Sequence, residues 1–235
     1  SVAAFNEQAT AFEADLKLLR QVVAQTPSLS SKIPNVSDTF DAFKATSYEL
    51  FDSKTRTLEL ADEVVTQLEE TEFAADDAAT FLLDFIDLNA VSGSSDIAQT
   101  VSTVESAMVS VISAITDIAK ENKKQNVETI IKELGFTINR INESMDSFNS
   151  KIAGKDYEGV DDITDQIATV RELLNSPNSV QNTKLAWLDQ IARTDTLLAE
   201  TNTKIDEGLA QLDNLQAAVK SELNESTTNV TDNVG

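Results

Sequence analysis

The stretch VAAFNEQATAFEADLKLLRQVV, Val2 to Val23, sets Phe5, Ala9, Phe12, Leu16, Leu19 and Val23 at alternating steps of four and three. Those steps gather every apolar group onto one stripe of a helix, the seam a neighbouring helix buries. The same rhythm continues through almost the whole chain. It predicts an all-α fold, an elongated up-down bundle of long, coiled-coil-like antiparallel helices. One domain is expected over residues 1–225, with a flexible polar tail or tether over 226–235.

Gly and Pro mark where the rhythm breaks, because both weaken helices. The first helix is expected from Val2 to about Gln25, and Thr26 to Ser37, with Pro27 and Pro34, reads as a loop. A second helix starts near Ser37 or Asp38, either of which can cap its first turn. Its seam runs Phe40, Phe43, Ser47, Leu50, Lys54, Thr57, Ala61, Val64 and Leu68, then Ala75, Ala78, Leu82 and Phe85. Phe51, Leu58, Val65 and Ile86 widen the stripe. A turn at Ser92 to Ser95 leads to a third seam from Ile97 to Ile118, which resumes at Val127 and ends at Ile152. The polar run Glu121 to Asn126 between them holds no Gly or Pro, so one long helix with a polar stutter is favoured over a hairpin. Gly154 ends it. A shorter helix carries Val160 to Leu174, Ser176-Pro177 opens the last one, and Trp187 packs in that final seam.

With 40 acids against 18 bases, the net charge is −22. Nucleic acid demands clustered Lys and Arg, and so does electrostatic docking on anionic membranes, so both are set aside. An acidic solvated surface or a basic protein partner fits instead. No stretch reaches ~18 uninterrupted apolar residues, so no transmembrane segment is expected. The chain opens at Ser1 rather than Met, which suits a processed amino terminus and export.

No His and no Cys occur anywhere. General acid–base catalysis and nucleophilic triads lean on those side chains, and a di-iron bundle needs paired Glu-x-x-His motifs. No Gly-rich phosphate loop is present. The acid clusters Glu69-Glu70-Glu72, Asp76-Asp77 and Asp161-Asp162-Asp165 put neighbouring carboxylates in different directions around a helix, so a solvated face is the expected reading. Enzyme activity, metals and cofactors are therefore not expected. Four Asn-x-Ser/Thr sequons, at Asn35, Asn142, Asn224 and Asn229, allow glycosylation; 16 Asn and 45 Ser plus Thr would produce about three by chance.

In helix length and patterning the chain resembles parasite surface-coat bundles, insect apolipophorins and helical pore-forming toxins. The likeness implies an exported protein; it carries no residue motif, so no site is transferred from it. The leading functional expectation is a non-enzymatic, secreted or surface-exposed bundle that acts as a structural or recognition element. The second is a carrier that opens for lipid or another apolar ligand, with a pore former as its harsher form. Polar residues at seam positions, Ser47, Lys54, Thr57, Asn122, Gln125, Thr194 and Thr201, motivate the second.

Overall fold

A computed structural model describes residues 1–93 and 95–234, with side chains described to Thr228. The described residues form seven helices and no strand: α1 (Val2–Val22), α2 (Pro27–Ser30), α3 (Ile33–Leu88), α4 (Asp96–Lys120), α5 (Lys124–Ile152), α6 (Val160–Asn175) and α7 (Val180–Val234). The chain is an all-α helical bundle.

The chain divides into two compact units. Unit 1 joins Ser1–Arg56 to Ala192–Gly235, and unit 2 is Thr57–Ile191. Both long helices, α3 and α7, contribute to each.

Unit 2 is a four-membered bundle. Lys151 near the end of α5 donates to the Asp96 carbonyl at the start of α4 (3.1 Å) and to Thr100 Oγ1 (2.6 Å), so α4 and α5 are antiparallel. Thr116 of α4 donates to Glu72 of α3 (2.6 Å), and Phe85 of α3 meets Phe148 of α5 edge-on at 5.2 Å. The fourth member is α6 followed by the start of α7. Met108, Val111, Ile115, Ile118 and Val127 are fully buried, and Ile141, Phe148, Ile163 and Val170 nearly so. These are the predicted seam residues. By length and composition α4 is apolar enough to cross a membrane, yet ten of its residues are buried, most of them in this core.

The single long third helix is not found. α4 stops at Lys120, and α5 starts at Lys124 and folds back. The backbone of Glu121 leaves the helical region (ψ 140°). Its carboxylate accepts the amides of Asn122 (2.7 Å) and Lys123 (2.9 Å) and Nδ2 of Asn126 (2.9 Å). Those bonds, the Asn126 one first, hold the Glu121 carboxyl below its ordinary value of 4.5. Across the turn, Lys184 donates to the Ala119 carbonyl (2.7 Å), covering an acceptor at the end of α4. A tertiary partner and a side-chain cap thus do what Gly or Pro usually does.

The stretch 26–37 is not a continuous loop either. Pro27 opens α2 and Pro34 is the second residue of α3, first-turn positions where a missing N–H costs nothing. At the other end, α7 extends through the expected tail to Val234; no Gly or Pro follows Gly208 before the last residue, so the formed helix propagates.

Unit 1 is made of three members, α1, α3 and α7. Phe5 of α1 packs edge-on against Phe43, Tyr48 and Phe51 of α3 at 5.5–5.8 Å, and Phe12 lies 4.4 Å from Phe40. Tyr48 OH donates to Asn6 Oδ1 (2.7 Å). Gly208 of α7 lies beside Thr39 of α3, and Ser53 shares a 2.8 Å hydrogen bond with Thr194. Leu16, Val23, Leu29, Ile33, Val36 and Leu215 close one end.

Candidate functional site

The three helices of unit 1 leave an apolar cleft of about 520 Å³ between them. Phe5, Ala9 and Phe12 come from α1, Val36, Phe40 and Phe43 from α3, and Ile205, Gly208, Leu209 and Leu212 from α7. The cleft follows the helix axes. Phe5 to Asp15 on α1 spans about 15 Å at 1.5 Å per residue. Its volume falls in the ~300–1,000 Å³ range of small-molecule sites.

The α7 wall is open to solvent: Ile205 is 41% exposed, Leu209 57% and Leu212 38%. Four Phe rings and these side chains form an unfilled apolar surface, which water covers at a cost. Gly208 widens the cleft, since a Cβ there would meet only Thr39 Cγ2 at 3.8 Å.

Polar groups are few. Gln8, Asp15, Thr39 and Lys204, with Ala11, complete the lining. Lys204 donates to Glu207 on its own helix (2.7 Å). Nearby Lys44 is hydrogen-bonded to Glu13, a contact that, before the neighbouring charges, raises its pKa above 10.5 and keeps it a cation.

The polar residues expected in the seam differ in burial, and Thr57, in unit 2, is half-buried. Ser47, Thr194 and Thr201 belong to unit 1, where Ser47 and Thr201 are buried and Thr201 donates to the Leu197 carbonyl. Lys54, Asn122 and Gln125 are exposed, so they are not seam residues, and Ser53 takes the place expected of Lys54. Leu58 and Val65, expected to widen the stripe, are 69% and 53% exposed.

The sequons are spread over the helices. Asn35 and Asn224 are exposed, on α3 and α7; Asn142 on α5 is half-buried with an enclosed, unpartnered Oδ1; the Asn229 side chain lies outside the described residues. No group of three acids is gathered for a metal ion among the described residues.

Two features escaped the sequence. Lys184 reads as a surface base, yet it is 2% exposed, with its ammonium 4.0 Å from the Trp187 ring centroid. Burial lowers its pKa below 10.5. The second is the cleft: Phe5, Ala9, Phe12, Phe40 and Phe43 read as seam positions, and nothing in their spacing shows that they line open volume. Comparison with protein-family models, with curated proteins and with solved structures finds no match.

Proposed function

We propose that this chain is a non-enzymatic binding protein that holds one apolar small molecule in the unit 1 cleft. The observation that carries the reading is the lining: four Phe rings with Ile205, Leu209 and Leu212 around open volume, where a sealed bundle would have side chains. The buried Ser47 and Thr201, and the Ser53–Thr194 bond, support it further. Hydroxyls in a seam gain less from closure than apolar side chains would.

The test is titration with the uncharged fluorophore N-phenyl-1-naphthylamine, because Trp187 belongs to unit 2 and does not line the cleft. Saturable one-site enhancement is expected, with at least a tenfold weaker signal in Gly208→Leu, whose side chain fills the cleft. No saturable enhancement in the wild type, or unchanged affinity in a helical Gly208→Leu, sinks the proposal.

A second reading, recognition of a protein partner, has its own observation. Leu198, Ile205, Leu212 and Val219 repeat every seven residues on α7 and are each 38–44% exposed. Asp195, Asp206 and Asp213 lie along one edge of that stripe at 100° per residue, so the occupant it fits is an amphipathic helix with a basic edge. Salt-sensitive binding of such a peptide, abolished in Leu212→Glu, is the expected signature; binding unaffected by Leu212→Glu rules the stripe out.

A further inference from the structure

The charges at the two ends of the cleft differ, and from that difference we infer that the cleft selects a single-chain amphiphile with a positive head, its head at Asp15 and its chain toward Phe5. This rests on the reading of the cleft as an apolar-ligand site and adds to it the class of ligand and the residue that sets it.

The direction follows from the packing. α1 runs parallel to α7, since Leu16 shares a cluster with Leu215 while Phe5 and Ile205 line the same cleft. Asp15 therefore sits at the Leu212 end, and Lys204 at the Phe5 end. Between them the lining is apolar save for Gln8 and Thr39, which are uncharged. A chain about as long as the cleft thus meets one charged group at each end.

Only one of those charges is free. Lys204 is already neutralised by Glu207 at 2.7 Å. Asp15 is exposed on α1 and makes no ion pair or hydrogen bond among the described residues. Off the lining, Lys44 is engaged by Glu13 and lies 3.7 Å from Asp41, and Lys17, two residues from Asp15 on α1, stands about 200° around the helix from it. The surroundings offer an anion no compensation either, since unit 1 carries 15 acids against 9 bases. An amphiphile with a carboxylate head would set like charge against Asp15, and one with an ammonium head would pair with it. The lining runs about 15 Å along α1 from Phe5 to Asp15, a length that one extended chain follows.

The experiment is displacement of N-phenyl-1-naphthylamine by three twelve-carbon amphiphiles, each below its micelle concentration: dodecyltrimethylammonium, dodecanol and dodecanoate. They are run on the wild type, on Asp15→Asn, and on Glu49→Gln, which removes the same charge from an exposed residue outside the lining. The wild type should rank cation above alcohol above carboxylate, with about three- to tenfold between the extremes at low salt. That spread should collapse in Asp15→Asn and persist in Glu49→Gln. Equal affinities, a carboxylate preference, or a spread that survives in Asp15→Asn overturns the inference and leaves the apolar-ligand reading standing. Displacement by none of the three, with the probe itself failing to bind, overturns the reading beneath it.

Discussion

Unit 2 and unit 1 are built from the same kind of helix and differ in how many meet. In unit 2 four members surround each seam, and Met108, Ile115, Ile118 and Val127 are shut away completely. In unit 1 three members do the work. Phe5, Phe12, Phe40 and Phe43 are half-buried, and the α7 stripe faces water. The difference teaches that a regular heptad guarantees a buried face only where enough partners are present, and that the shortfall in unit 1 is what makes a cleft.

The largest test of this contrast is truncation on each side of it. Ile115→Ala in unit 2 should cost about 2–5 kcal/mol in urea denaturation, because the tight core cannot collapse onto the void. Phe12→Ala in unit 1 should cost roughly 1–2 kcal/mol, since much of that ring is already solvated. Equal losses would mean unit 1 is packed as tightly as unit 2, and the contrast would fail.

A smaller effect sharpens it in the opposite direction. Gly208→Ala should raise stability by about 0.5–1 kcal/mol, the usual gain at an unstrained helical glycine. Gly135→Ala on α5, where nothing lies within 4 Å of the added carbon, should gain a similar amount. Enlarging each to Leu then separates the units: the 208 side chain gains apolar contacts in the cleft and the 135 side chain gains none. A melting temperature that falls in Gly208→Leu would show that the cleft has no room.

The smallest effect concerns pH and belongs to the α4–α5 turn. The Glu121 carboxyl is held low by Asn126 and by two backbone amides. Its folded-state value lies below the unfolded one, so its contribution is present above 4.5 and is lost as pH falls through the lowered value. Glu121→Gln should flatten that part of the acid limb of the stability profile, with slightly lower stability at neutral pH and convergence on the wild type in acid. An acid limb that superimposes on the wild type removes Glu121 from the account of the turn.

Much of the helical framework was legible from residue spacing. Ile97 to Ile118 and Val127 to Ile152 were predicted as seam residues, and most of them are buried. The break between those seams was misread. A polar run without Gly or Pro is compatible with continuous helix, and what ends α4 is a side-chain cap together with a lysine 65 residues away in sequence. Pro27 and Pro34 were overweighted as breakers for a related reason, since their meaning depends on whether they fall in a first turn. Of the cleft, Phe5, Ala9, Phe12, Phe40 and Phe43 are legible as seam residues, but not the open volume between them; Asp15 carries no signal, being one acid among 40.

The sequence by itself determined that the chain is helical and which face of each helix seeks cover, because a 3.6-residue period is a local property written into every turn. It also determined a surface of net charge −22. Tertiary structure alone decided the hairpin at 121–123, the burial of Lys184, and the split between a four-membered unit that closes and a three-membered unit that does not. Those depend on which distant segments meet, and the free energy of closure comes from partners that no local pattern names.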